Sequence, residues 1–126
     1  MEGTTGIIAM VLIAIVAIEH LYILWMEMFA WETVGKKTFK SLPEELFGAT
    51  KGLAANQGLY NGFLAVGLIW SLCIDNIEWQ RYIALFFLGC VITAAIFGAV
   101  TASKSIFVKQ GIPAIAAFIF VLLTYV

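Results

Sequence analysis

Polar residues are sparse along the chain and gather between four long apolar runs. The runs extend from Ile7 to about Phe29, from about Leu53 to Ile74, from Tyr82 to about Thr101, and from Ile112 to Val126. None alternates apolar and polar positions as a strand of a membrane barrel would. A helix that crosses the hydrocarbon slab needs about 20 apolar residues, and the first three runs supply them. The fourth reaches that length when Phe107 and Val108 join it and Lys109 extends its stem to the interface, which gives a span of about 108–126. Backbone groups in lipid must bond within their own segment, so the runs are read as helices. The pattern therefore predicts an all-α fold: an integral membrane four-helix bundle, a single transmembrane domain over residues 1–126, with spans of about 7–29, 53–74, 82–101 and 108–126.

Composition narrows the class further. Of the 126 residues, 63% are hydrophobic and 12% charged, against about 45–50% and about 25% in ordinary soluble domains. A small domain has too little interior to hide that much apolar surface. A soluble enzyme, a nucleic-acid binder and a disordered tail are thereby excluded. The first run carries only Glu2 as an early charge and ends in no A-x-A site, so it is read as a span and not as a cleaved signal peptide. Cys73 and Cys90 both sit in apolar stretches without metal-ligand spacing and are read as packing residues.

The net charge of -1 conceals an asymmetry. Lys36, Lys37, Lys40 and Lys51 fall in the first loop and Lys104 and Lys109 in the third, while the other side carries only Arg81. The positive-inside rule then puts the first and third loops in the cytoplasm of a bacterial inner membrane, with both termini outside. Trp31, Trp79, Tyr82 and Tyr125 lie near span ends, as an aromatic belt requires. In the first loop, Ser41-Leu42-Pro43-Glu44 has capping-box spacing, and Leu42, Leu46 and Phe47 supply an apolar side; a short interfacial helix is expected there.

Helices in lipid associate through close packing and polar contacts. Gly58 and Gly62 form a GxxxG pair on the second span, extended back by Ala54, and Cys90, Ala94, Gly98 and Ala102 form a small-residue ridge on the third. Both patterns fit tight packing inside one bundle, and both fit a homodimer seam.

The polar residues within the spans carry the candidate chemistry, because ionisable groups at bilayer depth are costly and mark functional positions. The first span holds Glu19, His20 and Glu27. At 100° per residue, His20, Leu24, Glu27 and Trp31 share a face, and Glu19 lies about 80° from Glu27. The second span holds Asn56, Gln57, Tyr60 and Asn61, with Asn56 expected level with Glu27, and Thr93 and Thr101 of the third span could add hydroxyls. Glu19, His20 and Glu27 are taken as a proton donor and acceptor set, and Trp31, Asn56, Gln57, Tyr60 and Asn61 as the ligand-binding wall of a pocket between the first two spans. No Glu-x-x-His pair of the di-iron type occurs and a second axial His for haem is missing, so no metal site and no cofactor is assigned.

Glu19-His20, Glu27-Met28-Phe29-Ala30-Trp31 and Asn56-Gln57-Gly58-Leu59-Tyr60-Asn61-Gly62 resemble a family of small bacterial four-span membrane proteins of unknown function. The resemblance covers nearly the whole chain and implies one domain, four helices and an inner-membrane location. A weaker similarity links the chain to the small multidrug resistance transporters, which carry one membrane-embedded Glu in their first span, where Glu19 stands. The strong lysine asymmetry and the polar run of the second span depart from that pattern.

Three functions remain in view. The first is binding of a small amphipathic molecule from lipid or cytoplasm, with its conversion by acid/base chemistry. The second is proton-coupled transport of a small solute by a homodimer, and the third a structural membrane subunit whose polar residues only hold helices together. Beyond the lipid bilayer, the expected partners are the small amphipathic ligand and, in the second case, another copy of the chain; nucleic acid is not among them.

Overall fold

The computed structural model describes residues 1–126. α1 spans Gly3–Phe29 and continues into a π turn, Trp31–Gly35, and the short α2, Lys36–Thr38. A 3-10 turn, Glu44–Leu46, precedes α3, Lys51–Leu72, and α4 covers Ile77–Thr101. α5, Lys104–Ile106, a second π turn, Phe107–Gly111, and α6, Ile112–Leu123, follow one another as a single helical run of 20 residues, Lys104–Leu123. The fold is all-helical, as the apolar pattern predicts, and Phe107 and Val108 join the last run.

Three stretches are long and apolar enough to cross a membrane: α1, α4 and the Lys104–Leu123 run. Their length and apolarity point to a membrane protein. α3 is comparably long, at 22 residues, but Asn56, Gln57 and Asn61 lower its apolarity. α1 and α4 each pack against α3 and α6, and the α1–α3 pairing is the most extensive. The links from α3 to α4 and from α4 to α5 are only a few residues long, which forces antiparallel neighbours. Asn76 caps α4 by accepting the Trp79 N–H at 3.0 Å.

The π turn in the last run has a local cause. Pro113 has no N–H, and its ring crowds the carbonyl of the residue four before it, Lys109. The helix widens over Phe107–Gly111 and resumes tight winding from Ile112.

The interior is divided lengthwise into unlike halves. Ala9, Ile13, Val16, Ala17, Leu68, Ala84, Leu88, Val91, Ala114, Ala117 and Val121 form one continuous buried apolar cluster. These residues lie toward the N-terminus of α1 and the C-terminus of α6, the end opposite the lysine-bearing loops. There Met1 is also buried, and its ammonium donates to Gln80 Oε1 at 2.5 Å. The Arg81 guanidinium bonds the Thr124 carbonyl and Thr124 Oγ1, and lies 4.4 Å from the centroid of the Tyr125 ring. The other half holds the membrane-depth polar residues.

The first loop is held by aromatic packing, not by a capped helix. Phe47 is fully buried, and the Trp31 ring lies 4.8 Å from Phe47 and 5.3 Å from Phe39, centroid to centroid. Trp31 Nε1 donates to Thr50 Oγ1 at 3.0 Å. The expected capping box does not form: Pro43 occupies the N-cap position, no side chain caps the turn, and the helix is a single 3-10 turn. Pro43 fixes its own extended backbone immediately before the turn and holds the residue ahead of it, Leu42, out of helical geometry, so Ser41 cannot begin a helix.

The GxxxG seam joins helices within the chain. A Cβ placed on Gly58 would meet Met28 Cγ at 2.8 Å, Glu27 Cβ at 3.0 Å and the Leu24 carbonyl oxygen at 3.1 Å; one on Gly62 would meet Leu24 Cδ1 at 2.5 Å. Gly89 of α4, by contrast, has nothing within 4 Å of such an atom. On the α4 ridge, Ala94 and Ala102 are exposed. Gly58→Ala should therefore lower stability by about 1–3 kcal/mol through overpacking against α1, whereas Gly89→Ala should be neutral or slightly stabilising because alanine favours helix. Thermal unfolding of both variants in detergent checks the contrast.

Candidate functional site

The three ionisable residues of α1 are sheltered, but they point to different neighbours. His20 is buried and its Nδ1–H donates to the Val16 carbonyl oxygen, 2.8 Å away, within its own helix. Glu27 is 6% exposed and accepts from Asn61 Nδ2 at 2.5 Å, across the α1–α3 seam beside Gly58. Glu19 has neither kind of partner: its Oε1 is buried and unbonded.

The Glu27–Asn61 pair is the convergence of first and second spans that the sequence predicts, with a changed register. Glu27 meets Asn61 and not Asn56, about five residues deeper. Side chains on a helix lean toward its N-terminus. α1 and α3 run antiparallel, so Glu27 leans away from the lysine end while Asn61 leans back toward it, and the two tips meet between their backbone levels. Asn56 and Gln57 are exposed, and so is Tyr60, which stacks edge-on against Phe63 with ring centroids 5.6 Å apart. Trp31 is committed to the loop cluster. Thr93 and Thr101 donate to carbonyls of their own helix, at 2.8 and 2.7 Å.

A cavity of about 770 Å³ opens on the other polar side of α1. Glu19, Tyr22, Ile23 and Met26 form its α1 wall, spaced i, i+3, i+4 and i+7 so that they fall on one stripe. The first loop adds Lys37, Thr38, Phe39, Lys40 and Ser41. Ser103, Ser105 and Ile106 of the third loop and α5, with Lys109 and Gln110 of the π turn, close the opposite side. Glu19 is the one carboxylate of this lining and the three lysines are its cations. The volume lies within the about 300–1,000 Å³ typical of small-molecule sites.

Of the predicted site residues, the structure places Glu19 alone on this cavity. The wall from the first and third loops escapes the sequence reading, which uses their lysines only for orientation. One signal was available: the Glu19, Tyr22, Ile23, Met26 stripe is centred about 100° around the helix from that of His20 and Glu27. A second hollow, of about 560 Å³, runs between α1, α3 and α4 and is almost wholly apolar, with Leu24, Gly62, Val66, Gly67 and Phe87 among its walls.

Comparison with known proteins bears on this arrangement. Residues 14–122 match the family described as "Protein of unknown function (DUF1304)". The chain belongs to the DUF1304 family. The match runs from before Glu19 to near the end of α6, so it takes in every candidate site residue. The chain is also similar to the uncharacterised protein YpaA of Lactococcus lactis subsp. lactis (strain IL1403), at 33% identity over 115 residues, which cover 90% of this chain and 95% of that protein. The family expected from the Glu-His and Asn-Gln-Gly-x-Tyr-Asn motifs, uncharacterised and with a bacterial member, is the one found. No solved structure matches the chain.

In this DUF1304 member the Glu27–Asn61 contact ties α1 to α3; interhelical hydrogen bonds in membrane proteins contribute about 0.6 kcal/mol and reach about 1.7. Asn61→Ala should destabilise the protein by about 1 kcal/mol. Glu27→Gln should cost less, because its amide oxygen still accepts from Asn61. A double-mutant cycle of Glu27→Ala and Asn61→Ala, read by unfolding in detergent, should return a coupling of that size; additive effects would remove the tie.

Proposed function

We propose that this protein is a four-span inner-membrane protein that binds one small amphipathic molecule in the cavity between α1, the first loop and the third loop. The observation that carries this reading is Glu19: a carboxylate oxygen buried without a partner, on the wall of a hollow large enough for a ligand. A polar atom left unbonded in a dry interior costs about 1–3 kcal/mol, and a ligand that donates a hydrogen bond recovers it. The walls suit an amphipathic occupant, with Tyr22, Ile23, Met26 and Ile106 for its apolar body and the lysines, serines and Gln110 for its polar end.

Acid/base conversion of the ligand falls to Glu19 in this reading. His20 is turned to Val16 and Glu27 to Asn61, so neither presents a free group to the cavity. α3 is the fourth span, with its Asn61 amide bonded to Glu27 on the α1 side and its exposed Asn56 and Gln57 close to the cytoplasmic boundary. The lysine loops face the cytoplasm and the termini lie outside.

Saturable binding tests the reading. Protein in nanodiscs should take up one equivalent of at least one single-chain amphiphile among oleate, monooleoylglycerol and 1-oleoyl lysophosphatidate. Ser105→Trp, which fills the cavity from an exposed position, should lower that uptake at least tenfold. Val66→Trp, in the apolar hollow, should leave it unchanged. Absence of saturable binding by all three would overturn the proposal. The topology has its own check: exposed Cys73, in the second loop, should react with a membrane-impermeant maleimide added outside intact cells. Labelling only after lysis would reverse the orientation.

A further inference from the structure

We infer that the cavity selects an anionic amphiphile: an elongated molecule with a phosphate or carboxylate head held by Lys37, Lys40 and Lys109, and a hydroxyl that donates to Glu19. The inference rests on the binding reading above and adds the charge class of the ligand. Three observations support it. Of the six lysines at this end, three line the cavity, and they approach it from two separate elements, the first loop and the second π turn. Lys109 stands there because the widened turn before Pro113 carries it, so this cation is placed by a helix irregularity and not by ordinary helical spacing. Glu19 is the one acidic side chain of the lining against these three.

The distances set the shape of the ligand. Glu19 to Met26 is seven residues of helix, about 10 Å at 1.5 Å per residue. Lys37 and Lys40 follow the end of α1 in the chain, and Lys109 reaches the cavity from the last helical run. Between the two polar ends the wall is apolar, from Tyr22, Ile23, Met26 and Phe39. A compact inorganic anion can meet the lysines but leaves the apolar wall uncovered. A neutral amphiphile can meet Glu19 but leaves unused the three lysine ammoniums, which are exposed. Phosphate and carboxylate heads share the chemistry lysine recognises, whether they come from a membrane amphiphile or from a soluble organic anion.

The experiment compares three probes in the same nanodiscs of neutral lipid: 1-oleoyl lysophosphatidate, monooleoylglycerol and glycerol 3-phosphate. Lysophosphatidate should bind at least tenfold more tightly than either other probe. The triple variant Lys37→Gln, Lys40→Gln, Lys109→Gln should reduce that preference to within about twofold. A matched triple, Lys36→Gln, Lys51→Gln, Lys104→Gln, removes the three lysines that do not line the cavity and should preserve it. Equal loss in both triples would assign the preference to general attraction at a basic membrane face and overturn the inference. Equal binding of monooleoylglycerol by the unmodified protein would also overturn it, while leaving the cavity reading intact. Glycerol 3-phosphate binding as tightly as lysophosphatidate would make the ligand a soluble anion and remove the amphiphile. Failure of all three probes to bind would instead sink the underlying proposal.

Discussion

An apolar helix that carries ionisable side chains must hide each of them, and α1 carries three within nine positions. Lipid offers no hydrogen bonds, so every such group needs a partner inside the protein or a hollow that admits one. Much of the arrangement follows from that demand. His20 turns back to its own helix, Glu27 draws Asn61 across the seam, and Glu19 remains on the wall of a cavity. Gly58 and Gly62 are the small residues that let α3 come close enough for the second of these solutions. The loops at the lysine end complete the third.

The division of the interior reflects the same constraint. Where α1 is purely apolar, from Ala9 to Ala17, its neighbours answer with alanine, valine, leucine and isoleucine, and the packing is continuous. Where α1 turns polar, the fold gives way to side-chain pairs, π turns and open volume. Aromatic contacts around Trp31 hold the first loop at this end without a regular helix.

Much of this was legible in the residues. The apolar runs give the helices and nearly their bounds, because backbone satisfaction in lipid leaves no alternative to helix. The Glu and amide motifs give the family, and the GxxxG pair lies in the most extensive helix pairing. The site was legible only in part. Helical periodicity shows that Glu19 and Glu27 share an inward-facing arc, but not that two different neighbours divide the arc between them. The Glu27–Asn61 register depends on the opposed lean of side chains on antiparallel helices, which level-by-level counting ignores. Trp31 reads as a pocket wall from its face of α1, yet the helix loosens into a π turn at that residue and carries the indole into the loop. The cavity's outer wall comes from loops, whose placement rests on tertiary contacts such as Trp31 with Phe47 and Thr50.

The clasp at the far end, Arg81 on Thr124 and Tyr125 together with the Met1 ammonium on Gln80, has a bearing on traffic. It closes the end of the molecule where the apolar cluster lies, and that cluster contributes no lining residue to the cavity at Glu19. In the binding reading proposed above, a guest would therefore enter and leave on the loop side. Such a geometry suits holding, sensing or altering a guest on one side of the membrane, and a route through to the other side would require the apolar half to come apart.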